Sequence, residues 1–181
     1  MASRFSREGA SAVVVADIDL EAATRVAEEI DGHAFRVDVA DADSNARLIE
    51  DVEANFGPID LFCANAGIAF EGDEQTPDGE WDRMLGINFK SHVFAARHLI
   101  PLWVGRGGGY LLVTASAAGL LSNIGAAQYT VTKHAAVAFA EWISITYGDK
   151  GVKVSCLCPR AYALRCWSSP ARSANSWPRP P

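Results

Sequence analysis

The sequence lacks several features that would place it in whole classes of protein. No apolar run approaches the roughly 20 residues of a membrane-spanning helix, and the first ten residues contain no apolar signal core. We therefore expect a cytoplasmic protein without a membrane partner. The cysteines (Cys63, Cys156, Cys158 and Cys166) lack paired CxxC spacing, and the histidines form no HxxxH pattern. This spacing does not support a metal site, and it predicts reduced thiols buried in strands.

Acidic residues are absent from the last 23 residues, which begin at Pro159 and contain four arginines. The whole chain of 181 residues has a net charge of −6, so the remainder carries 12 basic against 22 acidic side chains, a net charge of −10. Such an acidic body argues against nucleic acid as a partner. Residues 160–181 have no hydrophobic periodicity and are rich in Pro, Ser, Arg and Trp. We expect one domain over residues 1–159, and disorder beyond about residue 164.

The body of the chain alternates strand and helix patterns. Hydrophobic residues make up 49% of the chain and charged residues 21%, as in one soluble globular domain. Short apolar runs with little alternation predict parallel strands that are buried on both faces. The sequence therefore predicts a Rossmann-like, doubly wound α/β sheet that binds ligands beyond the carboxyl ends of its strands. The predicted strands cover 11–17, 33–39, 59–67, 109–116 and 152–158, and the predicted helices cover 20–30, 40–57, 79–104 and 125–147.

Small or acidic residues stand where the predicted strands end. Asp17 ends the first strand, where a carboxylate can accept both hydroxyls of an adenosine ribose and would repel a 2′-phosphate. The alternative is that Asp17 opens the following helix as a cap. The second strand ends in Asp38-Val39 and the third in Asn65-Ala66-Gly67, where small side chains let a nucleotide approach the backbone. Ser116 ends the fourth strand.

Tyr129 and Lys133 lie four residues apart in a predicted helix, which places both side chains on one face. Such a pair is ordinarily a surface phenol beside a solvated ammonium. A phenol holds its proton at neutral pH unless a nearby positive charge favours the phenolate. Lys133 is placed to supply that charge, so the pair has the composition of a proton-transfer site.

The ordered set of these residues resembles the short-chain dehydrogenase/reductase family over about residues 1 to 159. The set comprises Asp17, Asp38-Val39, Asn65-Ala66-Gly67, Asn88 in the stretch INFKS, Ser116 and Tyr129-x-x-x-Lys133. Ser116 lies 13 residues before Tyr129, the spacing typical of that family. The resemblance implies an oxidoreductase that transfers hydride between a nicotinamide cofactor and a secondary alcohol or ketone. Asp17 favours NAD over NADP as that cofactor.

The resemblance also implies a role for each member of the site. Tyr129 would exchange the proton, and Lys133 would hydrogen-bond the nicotinamide ribose. Ser116 would hold the substrate oxygen against the tyrosine. Asn88 would anchor a water that relays protons, the alternative being a buried asparagine at a helix kink. Pro159 would contact the cofactor. Family members commonly assemble as homotetramers or dimers through the helices predicted here at 79–104 and 125–147.

The chain departs from the family pattern before its first strand. The family loop Thr-Gly-x-x-x-Gly-x-Gly and the strand before it are absent, and residues 2–9 resemble the second half of the helix that follows them. The missing strand is the central one, between the strands ending at Asp17 and Asn65, and the loop supplies the N–H groups that hold the pyrophosphate. The alternative function is therefore a truncated, inactive remnant or an interaction protein. Met1 would then be an internal start, which is refuted if upstream DNA encodes no glycine-rich loop.

The chain also departs from the pattern after Pro159. There the family continues with a Gly-Val-x-Thr segment, whereas this chain reads RAYALRCW over residues 160–167. One codon choice for those residues, read two bases later, encodes Gly-Val-Arg-Thr-Pro-Met-Leu. We hypothesise that the segment 160–181 is a frameshift product. A gene sequence in which neither alternative frame continues a dehydrogenase would contradict this hypothesis.

Overall fold

The computed structural model describes residues 1–160, which form helices packed on parallel strands. The strands are β1 (Val14–Asp17), β2 (His33–Arg36), β3 (Leu61–Ala64), β4 (Gly109–Thr114) and β5 (Val152–Leu157). The helices are α1 (Ala2–Arg7), α2 (Leu20–Glu28), α3 (Ala42–Phe56), α4 (Asp78–Leu85), α5 (Ser91–Arg106) and α6 (Ala127–Tyr147). The disorder expected beyond residue 164 and the separate segment 160–181 fall outside the described residues, apart from Arg160.

The strands form two parallel sheets. In the first, β1 pairs with β2, with Val14 opposite His33. In the second, the order is β3-β4-β5, with Leu61 opposite Tyr110 and Gly109 opposite Val152. The predicted Rossmann-like α/β architecture is confirmed, and so is its incompleteness. Within residues 1–160 no strand pairs between β1 and β3, so the ladder that would join the two sheets is absent.

Each strand except the last is clearly shorter than its apolar run predicts. β2 ends at Arg36 rather than at Val39 because the chain turns at Asp38. The Asp38 amide donates to Ser44 Oγ at 3.1 Å, and the Asp38 carboxylate accepts from the Ala40 amide at 2.9 Å. β3 and β4 likewise end before the predicted boundary. The segment 65–67 and Ser116 therefore lie in loops beyond the strands, not at their last positions.

Aspartates fix the starts of two helices. Asp19 is the N-cap of α2, and its carboxylate accepts from the Ala22 amide at 3.1 Å. Asp41 caps α3 in the same way, accepting from the Ser44 amide at 3.3 Å. The alternative interpretation of Asp17 as the cap of α2 is therefore wrong. Asp17 instead accepts from the Asp19 amide at 3.0 Å, which closes a tight turn after β1.

The long helix predicted over 79–104 is interrupted. The π-helical segment Gly86–Lys90 separates α4 from α5, and Asn88 is fully buried within it. A π segment inserts one extra residue into the helical hydrogen-bond pattern and is frequently found at functional sites. α5 then ends at Arg106, and its C-cap Gly107 adopts the left-handed conformation with φ of 90°.

The main core lies between β4, α5 and α6. Trp103 is fully buried there, and its indole N–H donates to the Ile59 carbonyl at 2.7 Å. Glu53 of α3 binds the amide of the same residue: its carboxylate accepts from the Ile59 N–H at 2.7 Å. The carboxylate also pairs with Arg106 of α5 at 2.9 Å. Glu53 and Arg106 therefore link α3 to α5 at the segment that leads into β3.

The cysteines are less buried than predicted. Cys63 on β3, Cys156 on β5 and Cys158 just after it are half-buried free thiols, and Cys166 lies outside the described residues. Burial, followed by the neighbouring Cys158, raises the pKa of the Cys156 thiol to about 11. Over residues 1–160 no group of three or more potential ligands could hold a metal ion, and no helix is long and apolar enough to cross a membrane.

Candidate active site

The amino-terminal half of α6 brings Tyr129 and Lys133 into one buried face. Only 9% of Tyr129 and 3% of Lys133 are exposed. The Lys133 ammonium lies 5.7 Å from the centre of the Tyr129 ring, and it donates to the Thr114 carbonyl at the end of β4 at 3.0 Å. The predicted pairing on one helix face is observed. The pair is buried against the end of a strand rather than on the protein surface.

Asn88 joins three elements around this pair. Its side-chain oxygen accepts from the Ile68 amide at 2.8 Å, and its side-chain NH₂ donates to the Ile68 carbonyl at 2.9 Å. The same NH₂ donates to Thr132 Oγ1 at 3.2 Å, on the residue next to Lys133. Asn88 thus fixes the loop after β3 and the face of α6 relative to the π segment.

Gly67 completes the contact between that loop and the pair. A Cβ atom at this position would lie 3.3 Å from the Lys133 ammonium and 3.4 Å from Asn88 Oδ1. The backbone of the loop therefore lies directly against the lysine because Gly67 has no side chain. The structure brings three of the predicted residues, Gly67, Asn88 and Lys133, into contact, although they are far apart in the sequence.

Ser116 lies in the loop that follows β4. It is 8% exposed, and it opens the 3-10 turn Ala117–Gly119. Its Oγ accepts from the Ala118 amide at 3.2 Å, and Ala118 packs in the same apolar cluster as Tyr129. Because the hydroxyl acts as an acceptor in that bond, its hydrogen remains available to a ligand atom.

The predicted cofactor residues form a more open group. Asp17 and Asp38 are exposed, Val39 is half-buried, and the loop 65–67 is exposed beyond β3. Pro159 is half-buried, and its carbonyl accepts from the Ala117 amide at 3.0 Å, which ties the end of β5 to the serine loop. These residues lie on two sheets, Asp17 on the first and the loop 65–67 on the second.

These residues fit the two ends of a dinucleotide better than its pyrophosphate. The backbone at Gly67 leaves room beside the Lys133 ammonium that a Cβ would fill, and the exposed Asp17 has the chemistry of a ribose ligand. Between residues 1 and 160 no glycine-rich turn leads from a strand into a helix N-terminus. A pyrophosphate anchor of that kind is therefore absent from the described part of the chain.

Sequence reasoning missed three groups at this site. Thr132 bonds Asn88, and its position three residues after Tyr129 was the available signal. The Thr114 carbonyl binds Lys133, and a backbone acceptor leaves no sequence signal. Arg36 is the register partner of Asp17 across the β1–β2 ladder, so a basic residue neighbours the acid.

His92 lies one helical turn after Asn88 and is 1% exposed. Neither ring nitrogen has a hydrogen-bond partner among the described atoms. Burial, and after it the positive charge of Lys133, lowers the pKa of His92 to about 4. The imidazole is therefore neutral at physiological pH, and it adds no positive charge beside the lysine.

Comparisons with known proteins identify relatives of this chain. The sequence model described as short chain dehydrogenase matches residues 1–168. The 3beta-hydroxysteroid dehydrogenase 2 of Eggerthella lenta is 30% identical over 167 residues, which cover 86% of this chain and 63% of the relative. The meso-2,3-butanediol dehydrogenase of Serratia marcescens is 30% identical over 182 residues, which cover 98% of this chain and 69% of the relative.

Solved structures show the same relationship. The 3-ketoacyl-(acyl-carrier-protein) reductase from Brucella melitensis, complexed with NADH, matches with a TM-score of 0.84 at 29% identity, covering 88% of this chain and 68% of that one. A short-chain type dehydrogenase/reductase from Mycobacterium marinum matches with a TM-score of 0.82 at 27% identity, covering 87% of this chain and 65% of that one. The chain thus spans roughly two thirds of the length of such proteins.

Proposed function

Because the chain belongs to the short-chain dehydrogenase family, we propose that it transfers a hydride between a nicotinamide cofactor and a secondary alcohol or ketone. The observation that carries this proposal is the buried pair on α6, with the Lys133 ammonium 5.7 Å from the Tyr129 ring centre. Bound nicotinamide would supply or accept the hydride. The residues of this chain would position the substrate and move the proton.

The proton is exchanged at the Tyr129 hydroxyl. In ketone reduction the phenol donates its proton to the substrate oxygen, and in alcohol oxidation the phenolate takes the proton back. The Lys133 ammonium lies 5.7 Å from the centre of the ring that carries this hydroxyl. Ser116 donates its hydroxyl hydrogen to the same substrate oxygen and so holds it near the tyrosine.

Asn88 acts mainly by positioning. Both hydrogens of its NH₂ are used, one on the Ile68 carbonyl and one on Thr132 Oγ1. A relay water bound to its side chain would have to donate to Oδ1, which already accepts from the Ile68 amide. The expected proton relay through Asn88 remains a prediction, and the hydrogen-bond pattern supports a role in fixing the loop that lies against Lys133.

We propose NAD as the cofactor, with Asp17 accepting the hydroxyls of the adenosine ribose and repelling a 2′-phosphate. NADP is the second candidate because Arg36 is the cross-strand neighbour of Asp17 and offers a cation for that phosphate. Turnover with NADH and with NADPH separates the two. For an NAD enzyme, Asp17→Asn is expected to lower the ratio of turnover with NADH to turnover with NADPH. Arg36→Gln is expected to leave that ratio unchanged.

The substrate we propose is apolar. Leu120, Leu121 and Ile124 follow the Ser116 turn and are 61%, 68% and 83% exposed, which is unusual for three large apolar side chains beside a polar site. Relatives include dehydrogenases named for a hydroxysteroid and for cyclohexanol. A panel of cyclic and straight-chain secondary alcohols of increasing size tests this point.

We also propose that the chain forms a homodimer or homotetramer through α5 and α6. Trp142 and Ile145 on α6 are 53% and 84% exposed. Together they form an apolar surface on that helix which a second copy would cover. Analytical ultracentrifugation tests the assembly, and an Ile145→Lys variant is expected to weaken it.

The experiment that tests the proposed activity is a comparison of two tyrosine variants. General acid–base catalysis contributes about 10²- to 10⁴-fold, so Tyr129→Phe is expected to lower kcat by that factor. Tyr110→Phe is the matched control because Tyr110 lies on β4, where its hydroxyl is hydrogen-bonded to Ser155 Oγ at 2.7 Å. Equal turnover in the two variants contradicts the assigned role of Tyr129.

A non-catalytic binding protein on the same scaffold is the second candidate. The observation that favours it is the split between the two sheets, which leaves the adenosine end and the lysine end of the site without a common ladder. Titration of the unmodified chain with NADH, followed by nicotinamide fluorescence, discriminates the two. Micromolar binding supports the enzyme, and absence of both binding and turnover supports the second candidate.

A further inference from the structure

A short segment after β3, which we call the strap (residues 68–72), is held at both of its ends. At its first residue, the backbone N–H donates to Asn88 Oδ1 at 2.8 Å, and the carbonyl accepts from the Asn88 NH₂ at 2.9 Å. At its last residue, the N–H donates to the Gly125 carbonyl and the carbonyl accepts from the Ala127 amide, both at 2.9 Å. Only residues 69–71 lie between these two attachments, so the strap has little freedom to move.

The strap packs against the tyrosine of the proposed active site. Ile68, Ala69 and Phe70 are half-buried, and they pack on the apolar cluster that contains Tyr129 and Ala118. Tyr129 is only 9% exposed as a result of this packing and of its place on α6. A substrate that reaches the phenol therefore has to pass beside the strap.

The last residue of the strap, Gly72, lies directly against the side-chain amide of Gln128. A Cβ at this glycine would overlap Gln128 Nε2, and it would lie 2.7 Å from Gln128 Oε1 and 2.5 Å from Thr76 Oγ1. Gly72 is not among the glycines with positive φ. The close approach, and not an unusual backbone conformation, is therefore what requires a glycine here.

Both side chains that meet Gly72 are held in place. Gln128 precedes Tyr129 on α6 and is fully buried, and neither atom of its amide has a hydrogen-bond partner among the described residues. The position of this amide is therefore set by the atoms packed around it. Thr76 Oγ1 accepts from the Asp73 amide at 3.0 Å. Since neither side chain has open space to enter, a methyl group added at Gly72 has to push the strap away from α6.

We propose that the contact between Gly72 and Gln128 determines which alcohols are accepted, because it holds the strap close to Tyr129. An alcohol would then reach the phenol only when it is unbranched beside its carbinol carbon. The alcohol as occupant rests on the function proposed above, whereas the narrow approach to Tyr129 does not. Gly72 and Gln128 act through the position of the strap and take no part in proton transfer.

The test measures kcat/KM with NAD⁺ for hexan-2-ol and for its branched isomer pinacolyl alcohol, in the full chain and its variants. One methylene in an apolar pocket changes specificity by about 10- to 200-fold, so the unmodified chain should favour hexan-2-ol at least about tenfold. Gly72→Ala should lower that preference about tenfold. The double variant Gly72→Ala/Gln128→Ala should restore it, because the new methyl group occupies the room left by the amide. Gly79→Ala is the matched control, since a Cβ at that helical glycine would meet no atom within 4 Å.

A second readout requires no turnover. Tetranitromethane nitrates the tyrosine rings that it can reach, and mass spectrometry identifies each modified residue. Nitration of Tyr129, relative to the exposed Tyr110, should be about tenfold faster in Gly72→Ala and should return to the original rate in the double variant. Phe70→Ala thins the strap without altering the contact at Gly72, so it should shift both readouts in the same direction. It replaces Gly72→Ala if that variant does not fold.

Three outcomes overturn the proposal. The first is unchanged nitration of Tyr129 in the strap variants, whatever their turnover. The second is a double variant that behaves like Gly72→Ala, which removes the role of Gln128. The third is faster nitration with an unchanged ratio of the two alcohols, which separates the strap from substrate choice. Absence of turnover with both alcohols in the unmodified chain contradicts the proposed function instead, and nitration then decides whether the contact narrows the approach to Tyr129.

Discussion

Replacing Asn88 by alanine is expected to destabilise the fold strongly, although the side chain is small. Asn88 is fully buried in the π segment, and its amide makes three hydrogen bonds of 2.8, 2.9 and 3.2 Å. These bonds join the loop at Ile68 to α6 at Thr132. The substitution leaves the amide and carbonyl of Ile68 without their partner and removes the bond that the Thr132 hydroxyl accepts, while that hydroxyl still donates to the Tyr129 carbonyl at 3.0 Å.

The size of the effect follows from how far each abandoned group can reach water. Ile68 is half-buried, so its two backbone groups recover part of their hydration, whereas Thr132 is fully buried. A net loss of about 1 kcal/mol for each broken bond gives a decrease of about 3 kcal/mol in the free energy of unfolding. That is a large share of the 5–15 kcal/mol by which domains are ordinarily stable.

Urea unfolding followed by circular dichroism measures this change, with Asn55→Ala as the matched control. Asn55 is exposed, and its amide donates to the Asp51 carbonyl one turn earlier in the same helix at 2.7 Å. Its removal breaks no contact between elements, so a change within about 0.5 kcal/mol is expected. If Asn88→Ala costs less than about 1 kcal/mol, or no more than the control, the network does not hold the loop to α6.

Two further predictions concern the surroundings of the same site. Burial lowers the pKa of His92 from 6.5 to about 4, so the unfolded chain binds a proton at this imidazole more readily than the folded chain does. The free energy of unfolding therefore falls by on the order of 3 kcal/mol as the pH drops from 6.5 to about 4. Urea titrations between those pH values should show that His92→Gln removes this loss, while His98→Gln retains it. A Cβ at Gly119 would lie 2.7 Å from the Lys133 carbonyl, so Gly119→Ala should lower the free energy of unfolding by about 1–3 kcal/mol. A Cβ at Gly105, which lies in a helix, would have no neighbouring atom within 4 Å, so Gly105→Ala should raise the free energy of unfolding by up to about 1 kcal/mol. Equal effects of the two glycine variants would refute the steric argument.

Local patterns predicted the elements well because periodicity is a local property. The apolar runs identified each strand, and the four-residue spacing of Tyr129 and Lys133 identified a shared helix face. The ends of β2, β3 and β4 were predicted too late in the chain because hydrogen bonds within the following turn, as at Asp38, decide where a ladder stops. The π segment was predicted as ordinary helix because one inserted residue barely disturbs the hydrophobic pattern.

Contacts between distant segments could not be derived from local spacing. The meeting of Gly67, Asn88 and Lys133 depends on how a loop, a π segment and α6 pack together, and only the family resemblance pointed to it. Arg36 was missed beside Asp17 because their proximity follows from the register of two strands. Cys63 was predicted to be buried, yet β3 has an open edge, so the thiol is only half-buried.

The link between α3 and α5 has a consequence for any ligand long enough to touch both sheets. Asp17 belongs to the first sheet and Lys133 packs on the second, so under the proposed function a dinucleotide would be held at its two ends by different sheets. The stiffness of the α3–α5 contact, in which Glu53 and Arg106 pair 2.9 Å apart, would then set the effective concentration of one end of the site for a ligand already bound at the other. Affinity for a dinucleotide would depend partly on residues that touch neither of its ends, whereas affinity for either mononucleotide half would not.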